Sequence, residues 1–443
     1  MDKLSGTGKF TREFRRLRIR VAYDVSFLAG FFNHQDGQSG VYRTVEELLL
    51  ELCKRDDIEL RAVAASGEDP LLDVTNSALY IARQAGCQFD PALSGRFGLS
   101  EIYFRTFGSS SRVGDADFQA AGNYRARQYI TRAVRKIDRP RLGLKHGGYD
   151  VFHSPFLKLP SRAVIGDIPR VLTVYDLIFL KNPEFMTPAL VAFLQRIFES
   201  VDYERDWVIC ISEFTKQEFC DYSGMLPERV FVTPLAAADH FRPISNAERI
   251  ADARQKYSIP NGNYFLALSA LQPRKNFSHL IRCFCRLLLE QPHLDINLVI
   301  VGAPGWLYEE IFATGGTSSE FRNRITFTGF VANEDLSAVY SGATAFVFPS
   351  LYEGFGLTPL EAMQCGLPVI TSNTTALPEV VGEAGLLVNP TDADSLCQAM
   401  FDILSKPDLR SELSRKGLLR SEKFSWASCA QKTVEAYKKI SKA

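Results

Sequence analysis

The chain has 443 residues, more than one ordinary hydrophobic core accommodates, so two or three domains are expected. Hydrophobic residues make up 46% and charged residues 23%, and the formal net charge is zero, which gives no global field for nucleic acid. No apolar run reaches the roughly 18–20 residues of a membrane span, and the start of the sequence lacks the apolar stretch of a signal peptide.

Short apolar runs alternate with amphipathic helical runs along most of the chain. The predicted strands are Leu17–Tyr23, Asp150–Ser154, Arg170–Tyr175 and Trp207–Ser212 in the first half, and Tyr264–Ser269, Ile296–Gly302, Ile325–Phe330, Ala345–Ser350 and Leu367–Ser372 in the second. Most are continuously apolar, as expected for strands buried on both faces of a parallel sheet. This alternation predicts an α/β fold with doubly wound parallel sheets.

The predicted elements form two sets, separated by Val232–Asn263, which contains prolines, alanines and one short helix. The boundary is placed there, so that residues 1–240 form one Rossmann-like domain and residues 241–423 the other. Residues 66–125 resist assignment, and their Ser/Gly-rich piece Phe107–Gly114 is predicted to be a mobile loop. Ligands in open α/β sheets bind beyond the carboxyl ends of the strands, where candidate residues are therefore sought.

Cysteines and acidic motifs give no indication of a metal. The nine cysteines contain no Cys-x-x-Cys pair, which predicts free thiols in a reducing cytosol rather than a disulfide framework or a zinc site. Ser5–Thr11 looks like a phosphate loop, but Phe10 follows Lys9 and no strand precedes it. Of two Asp-Ala-Asp triplets, 115–117 and 392–394, the second is interpreted as a helix N-cap followed by acidic residues. We predict no metal and no cofactor.

Two loops of the first half follow predicted strands. Ser39 and Gly40 precede an amphipathic helix, but no Gly-x-Gly-x-x-Gly is present, so an ordinary loop capped by Ser39 is the alternative. Asp176 could hold an acceptor hydroxyl or simply cap its loop. Its neighbour Tyr175 can donate a hydrogen bond but cannot become a cation.

Two loops of the second half occupy equivalent positions. Arg274 and Lys275 are adjacent cations between a strand and a helix start. Such cations can offset the charge that a diphosphate gains as it leaves a sugar, although an Arg-Lys pair alone is more often a solvated loop. Gly329, Phe330 and Val331 close a later strand before another helix, and a plain strand–helix loop is the alternative there.

The most informative stretch is Pro349–Ile370, in which seven residues separate Glu353 from Glu361. A strand ends, the loop Glu-Gly-Phe-Gly follows, and a helical pattern begins at Leu357. Exposed N–H groups at a helix start bind anions, and glycines let a phosphate approach the backbone. Carboxylates accept hydrogen bonds from vicinal hydroxyls, so Glu361 could hold a ribose and Glu353 a sugar; ordinary surface acids are the alternative.

This stretch resembles the Glu-x7-Glu signature of the GT-B glycosyltransferases, in particular the large retaining family, family four in the usual classification, that contains many bacterial sugar transferases. The resemblance covers nearly the whole second half and weaker pieces of the first. It implies two Rossmann-like domains facing a central cleft. It also implies that the last helix, residues 424–443, crosses back to the first domain with Trp426 as its anchor.

The resemblance also implies roles for individual residues. Arg274 and Lys275 would clamp the donor diphosphate and act with Glu353 as catalytic residues. The donor-binding residues that it implies are Gly40, Gly329, Phe330, Val331, Gly354, Phe355, Gly356, Leu357 and Glu361. Family members often carry a histidine where this chain has Tyr175, which leaves open how Tyr175 and Asp176 serve the reaction centre.

The resemblance implies a retaining hexosyltransferase that moves a sugar from a nucleotide-sugar to a glycan or lipid-linked acceptor in polysaccharide biosynthesis. The segment Pro273–Asn276 and the Tyr-Asp-Leu segment look most like mannosyltransferases of surface-polysaccharide pathways, which favours GDP-mannose. UDP-glucose, GDP-fucose and dTDP-rhamnose remain alternatives. So do an epimerase or phosphorylase on the same fold, and a non-catalytic sugar-nucleotide-binding protein.

Two arginine-rich segments of the first half, Phe10–Arg20 and Asn123–Gly148, allow two interpretations. They are either a solvated face or a surface for peripheral contact with anionic lipid, which a lipid-linked acceptor would make useful. The expected location is cytoplasmic, with contact at the inner membrane as the finer hypothesis. No nucleic acid partner is expected.

Overall fold

The computed structural model describes residues 18–31, 40–67, 69–84, 86–94, 96–107, 121–139, 141–144, 148–303 and 321–443. The motifs at Ser5–Thr11, Ser39 and 115–117 and most of Phe107–Gly114 lie outside these residues. Two six-stranded sheets, one in each half of the chain, organise the described part. Every strand pair within them is parallel.

The first sheet has the order β2-β1-β5-β6-β7-β8, and β3 pairs with β4 in a separate antiparallel ladder. The strands of this half are β1 (Ile19–Asp24), β2 (Ile58–Val63), β3 (Leu93–Ser94), β4 (Arg141–Leu142), β5 (Val151–Ser154), β6 (Arg170–Val174), β7 (Trp207–Cys210) and β8 (Val230–Val232). The helices of this half are α1 (Ser26–Phe31), α2 (Gly40–Cys53), α3 (Pro70–Ile81), α4 (Leu99–Phe107), α5 (Ala121–Asp138), α6 (Arg162–Ile165), α7 (Ile178–Lys181), α8 (Pro188–Glu199) and α9 (Glu213–Ser223).

The second sheet has the order β11-β10-β9-β12-β13-β14. Its strands are β9 (Asn263–Leu268), β10 (Ile296–Val301), β11 (Ile325–Gly329), β12 (Ala345–Phe348), β13 (Val369–Ser372) and β14 (Gly385–Val388). The helices are α10 (Ala247–Lys256), α11 (Phe277–Glu290), α12 (Asn333–Ser341), α13 (Leu357–Gln364), α14 (Leu377–Val381), α15 (Ala393–Ser405), α16 (Pro407–Ser421) and α17 (Trp426–Ile440). The α/β prediction with two doubly wound parallel sheets is confirmed.

Both faces of each sheet are buried, which explains the continuously apolar strands. Along β1, Tyr23 packs into one core and its neighbour Ala22 into another. Along β9, Leu266 packs into the same core as Tyr23, and its neighbour Phe265 packs into a third core. Successive residues of a strand point to opposite faces, so each sheet has a core on either side. One of these cores contains residues of both halves.

All nine predicted strands are present, with ends shifted by one or two residues. The sequence prediction missed β2, β8 and β14, which are edge strands of the two six-stranded sheets, and the two-residue strands β3 and β4. In β2, with the sequence Ile-Glu-Leu-Arg-Ala-Val, Glu59 and Arg61 interrupt the apolar run. These charged side chains are tolerated because an edge strand has only one neighbouring strand and is partly exposed. Asp392 accepts hydrogen bonds from the backbone N–H groups of Asp394 and Ser395, which confirms its interpretation as the N-cap of α15.

The last helix, α17, crosses back and packs against α2 of the first half. Its Tyr437 hydroxyl lies 2.6 Å from Nδ1 of His153 on β5, and Nε2 of that histidine lies 2.8 Å from the hydroxyl of Thr173 on β6. Burial lowers the pKa of His153 to about 3, so the ring is neutral at pH 7. Lys438 adds an ion pair to Asp57 at 2.7 Å. The predicted crossing is therefore confirmed.

The cysteine prediction is wrong for one pair. Cys53 and Cys87 form a disulfide with their Cα atoms 5.4 Å apart, while the other seven cysteines are free. The bond links the end of α2 to the segment that pairs with β2 at Phe89. Because the two cysteines are 34 positions apart in the sequence, only the folded sheet edge brings them together, and spacing motifs give no sign of it. Among the described residues, no helix is both long and apolar enough to cross a bilayer.

Candidate active site

The carboxyl ends of the two sheets contact each other at the loop that follows β12. The carbonyl oxygen of Gly354 accepts hydrogen bonds from the hydroxyls of Ser212 at 2.8 Å and Thr215 at 3.2 Å, both in the first half. A Cβ atom at Gly354 would lie 1.9 Å from the carbonyl oxygen of Tyr175. Only glycine therefore permits this approach of the two halves.

Arg274 and Lys275 lie in a tight turn between β9 and α11. The turn spans Pro273–Lys275 and ends at Asn276, which has a φ of +62° in the left-handed region that asparagine tolerates. The side-chain amide of Asn276 donates to the carbonyl oxygen of Pro349 at 3.1 Å. Leu351 N–H donates to the carbonyl oxygen of Arg274 at 2.8 Å, so the turn is fixed to the loop after β12.

Glu353 joins both cations in a buried group that we call the cation cluster (Arg274, Lys275 and Glu353). Oε1 of Glu353 lies 2.5 Å from Nζ of Lys275 and 3.1 Å from Nη1 of Arg274. The Ser350 hydroxyl donates to the same oxygen at 2.7 Å. The three predicted catalytic residues thus contact one another, in a buried place where electrostatic interactions are strong.

The cation cluster shifts the pKa values of its members. Burial alone would raise the pKa of Glu353, but Arg274 and Lys275 lower it to about 2. Burial and the neighbouring guanidinium lower the pKa of Lys275 to about 8, against the opposing effect of Glu353. At pH 7 the cluster therefore carries two positive charges and one negative charge, with a net charge of +1 facing the junction of the halves.

The glycine loop leads from the cation cluster into α13. Gly356 precedes the helix with a φ of +128°, and a Cβ there would lie 2.9 Å from the side chain of Leu377. The Phe355 ring is buried against Phe424, so only its backbone can serve a ligand. Leu357 faces Gly40 across the junction, with 3.9 Å between its Cδ1 and the position of a Cβ on Gly40.

Glu361 lies one turn into α13 and is buried. The hydroxyl of Tyr340 donates to its Oε2 at 2.9 Å, and Nη1 of Arg43 lies 3.8 Å from its Oε1. Burial raises the pKa of Glu361, while Arg43 and the Tyr340 hydrogen bond act in the opposite direction. A pocket of about 190 Å³ opens beside the carboxylate, and we call it the Glu361 pocket. Its lining residues are Arg43, Thr44, Glu46, Glu47, Ala236, Ala237, Ala238, His240, Asn333, Leu357, Glu361 and Trp426.

The turn that contains the predicted donor-binding residues Gly329, Phe330 and Val331 follows β11 in the same half. Gly329 has a φ of +71°, and its carbonyl oxygen accepts a hydrogen bond from Gly302 N–H at 3.0 Å. Val331 is buried, whereas the Phe330 side chain is 73% exposed. The exposed aromatic ring at this strand end offers a face on which a base can stack.

Tyr175 and Asp176 contribute in different ways. The Tyr175 ring packs edge-on against Phe156 at a centroid distance of 5.8 Å, and its carbonyl oxygen is the group that faces Gly354. Oδ1 of Asp176 accepts a hydrogen bond from Ile178 N–H at 3.2 Å, which caps its loop. Burial raises the pKa of Asp176, and Arg274 partly opposes this rise. Asp176 therefore caps its loop and also interacts electrostatically with the cation cluster.

Several residues around the site were not predicted. Tyr352 donates to Glu218 of the first half and accepts from Leu177 N–H at 3.2 Å, so its ring bridges the halves. Arg43 and Tyr340 hold Glu361. Arg43 lies one turn beyond Gly40, so the position of that glycine at a helix start could have indicated it. Tyr340 has no such signal, because only the packing of α12 brings it to the carboxylate.

No group of three His, Cys, Asp or Glu side chains in the described part of the chain is arranged to hold a metal ion. The groups that the structure brings to the junction are fixed cations, helix-start amides and buried carboxylates. Such groups bind a diphosphate and the hydroxyls of a sugar and stabilise negative charge as it develops.

Comparison with known proteins supports this chemistry. Residues 249–420 match the family described as "Glycosyl transferases group 1". The chain is 33% identical over 291 residues to the O-antigen chain mannosyltransferase B of Escherichia coli, covering 65% of this chain and 74% of that protein. It is 36% identical over 242 residues to the serotype-specific mannosyltransferase WbdA of Escherichia coli, covering 54% of this chain and only 29% of that longer protein.

The fold is also that of a solved glycosyltransferase. A structure from Rickettsia africae superposes with a TM-score of 0.62 at 17% identity, covering 96% of this chain and 98% of that one. At such low identity the likeness concerns the fold, two parallel α/β halves that face each other. Together with the extended sequence identity to O-antigen chain mannosyltransferase B, it establishes that the chain belongs to the group 1 glycosyl transferases and is a glycosyltransferase of the GT-B fold.

Proposed function

We propose that this glycosyltransferase moves a mannosyl group from GDP-mannose to a glycan or lipid-linked acceptor, with retention of the anomeric configuration. The observation that carries the proposal is the cation cluster, which places buried Lys275 and half-buried Arg274 at the junction of the halves with a net charge of +1. Support for mannose comes from the relatives, two of which are named as mannosyltransferases of Escherichia coli.

In the proposed mechanism the donor lies along the second half. Arg274 and Lys275 neutralise the diphosphate as it leaves, and the amides of the loop from Gly354 to Leu357 bind its oxygens. Glu361 holds the ribose, and Phe330 stacks on the base. Glu353 orients both cations and, through its other oxygen, reaches the donor sugar. The cation cluster and Glu361 are held by hydrogen bonds and ion pairs before the donor binds, so little reorganisation of these groups is needed during the reaction.

The acceptor would approach from the first half, beside Asp176. The acceptor hydroxyl attacks the anomeric carbon on the face that the diphosphate leaves, and no described residue is assigned as a covalent nucleophile. The bond from that carbon to the diphosphate oxygen breaks, and the departing phosphate takes the acceptor proton. Contact between the halves at Gly354 excludes water that would otherwise hydrolyse the donor.

The decisive assay measures GDP release from GDP-mannose by the purified protein, with EDTA or with Mg²⁺, in parallel with UDP-glucose, GDP-fucose and dTDP-rhamnose. We expect turnover of GDP-mannose alone, equal with and without the metal, and slow hydrolysis when no acceptor is present. Turnover of another donor would contradict the donor assignment. A requirement for Mg²⁺ would contradict the metal-free clamp by Arg274 and Lys275.

The finer proposal on location is contact with an anionic membrane at the cytoplasmic face. Support comes from five exposed apolar side chains on and beside α4 and α5, namely Phe97, Ile102, Tyr129, Ile130 and Ile137. Ile130 and Ile137 are seven residues apart and so lie on one face of α5, while exposed Arg132 and Lys136 lie on other sides of the same helix. A helix with an apolar face and basic residues on its other sides suits an interface with anionic lipid.

Flotation with phosphatidylglycerol vesicles tests this contact. The double variant Ile130→Ser, Ile137→Ser should release the protein from the vesicles, while Leu226→Ser, at a residue of the same half that is 58% exposed, should not. Equal flotation of all three proteins would contradict the proposed surface. The disulfide Cys53–Cys87 is uncommon for a reducing compartment, so the free-thiol content of protein purified from cells also bears on the location.

A further inference from the structure

Arg43 belongs to the first half, yet its guanidinium faces the carboxylate proposed to hold the donor ribose. It lies in the first turn of α2, three residues after Gly40. Its Nη1 is 3.8 Å from Oε1 of Glu361, and the two side chains are 32% and 4% exposed. This ion pair joins the two halves of the molecule, because α2 and α13 pack on different sheets.

The distance leaves room for a ligand. Hydrogen bonds between nitrogen and oxygen are about 2.7–3.2 Å long, so the pair attracts without being closed by a direct bond. Tyr340 already occupies Oε2 at 2.9 Å. Oε1 is therefore the oxygen available to a hydroxyl group, and a hydroxyl that reaches it lies beside Arg43.

The charges around the Glu361 pocket are a second argument that Arg43 contributes to nucleotide binding. Glu46 and Glu47 line the same pocket, and burial together with Glu46 raises the pKa of Glu47. Arg43 is the only lysine or arginine among the described residues that line it. Without this cation, a nucleotide that carries negative phosphates would bind next to three carboxyl groups with no compensating charge.

We infer that Arg43 is a donor-positioning residue supplied by the acceptor half, which orients Glu361 toward the vicinal hydroxyls of the nucleoside and so couples donor binding to contact between the halves. The inference rests on the proposed role of Glu361 in donor binding. It assigns part of the nucleoside site to the half of the molecule that carries the acceptor. Arg43 acts through Glu361 and does not touch the anomeric carbon.

The test compares Arg43→Gln and Arg43→Lys with a matched control, Arg61→Gln. Arg61 lies on β2 of the same half and pairs with Glu59 at the surface. The Kd for GDP is measured by calorimetry, and the KM for GDP-mannose and for acceptor by GDP release. We expect Arg43→Gln to raise the Kd and donor KM about fivefold, with Arg43→Lys restoring roughly half of the loss. The acceptor KM, kcat and melting temperature should stay near those of the wild type.

A second ligand identifies the part of the nucleotide that depends on Arg43. Since 2′-deoxy-GDP lacks one of the vicinal hydroxyls, the Arg43→Gln loss should be smaller for it than for GDP. An equal loss for both ligands would overturn the role at the ribose. Unchanged GDP affinity in Arg43→Gln, or the same loss in Arg61→Gln, would overturn the inference altogether.

The variant Glu361→Gln separates failure of this inference from failure of the proposed function. If the wild type binds GDP and Glu361→Gln weakens it while Arg43→Gln does not, the donor site stands and the inference on Arg43 is wrong. If the wild type itself fails to bind GDP, the proposed donor is wrong. In the double variant Arg43→Gln, Glu361→Gln, we expect a loss smaller than the product of the single losses, because the two residues act together.

Discussion

At one end of the junction Glu353 meets two cations from its own half, whereas at the other end Glu361 faces one cation from the opposite half. Both glutamates are buried, but the first has its pKa lowered to about 2 and the second has its pKa raised. The cation cluster is thus complete within one half, while the surroundings of Glu361 are complete only when the halves touch. Separation of the halves would therefore leave the ion pairs of Glu353 in place and would remove Arg43 from Glu361, although the two carboxylates are only eight positions apart.

The largest effect is expected from Lys275→Ala, which removes one cation of the cation cluster. Loss of a fixed charge that stabilises the leaving group should lower kcat by about 10²- to 10³-fold. GDP release under saturating donor measures it. Lys256→Ala, which removes a surface partner of Asp335, is the matched control and should leave kcat unchanged. An equal loss of kcat in both variants would show that removing a lysine lowers activity by disturbing the folded structure rather than the leaving group.

Gly354→Ala should break the contact between the halves and leave each half folded. The new Cβ would overlap the Tyr175 carbonyl oxygen at 1.9 Å, so the halves must separate. A displacement of about 1 Å can cost about 10²-fold in rate, and that loss of kcat/KM is expected here. Binding of pyrophosphate at the cation cluster should persist. Normal activity in the variant would show that closure does not use this contact.

Glu361→Gln removes the charge proposed to hold the ribose. Hydrogen bonds to a charged group contribute about 1.5–3 kcal/mol, so the Kd for GDP should rise by about ten- to a hundredfold. Pyrophosphate, which has no ribose, should bind as it does to the wild type. An equal rise in Kd for both ligands would mean that Glu361 acts on the phosphates. The proposed difference between Glu353 and Glu361 would then be wrong.

The smallest effect concerns pH. The free Lys275 loses its proton as pH rises through its pKa of about 8, and an anionic diphosphate binds best to the charged form. GDP affinity should therefore fall several-fold between pH 8 and 9, with a limit of about tenfold per pH unit. Lys275→Arg stays charged over this range, so its affinity should be flat. A parallel decline in Lys275→Arg would assign the pH dependence to another group.

Much of this arrangement could be predicted from the sequence. The continuous apolar strands, the loop from Glu353 to Leu357 and the Arg274–Lys275 pair are local signals, and each lies where parallel sheets place their ligands. The disulfide Cys53–Cys87 and the residues that hold Glu361 depend on contacts between distant segments. Patterns among neighbouring residues do not indicate such long-range contacts. The edge strands β2, β8 and β14 were not predicted because a strand with only one neighbour need not be continuously apolar.

The return of α17 to the first half means that the chain passes between the halves twice, once after β8 and again between α16 and α17. Two connections define an axis, so the halves can rotate about the line that joins them but cannot swivel freely. The Tyr437–His153 contact and the Lys438–Asp57 ion pair fix the second connection to the first half. We expect these connections to restrict opening of the junction to rotation about that line, so that closing returns Gly354 to the Tyr175 carbonyl oxygen.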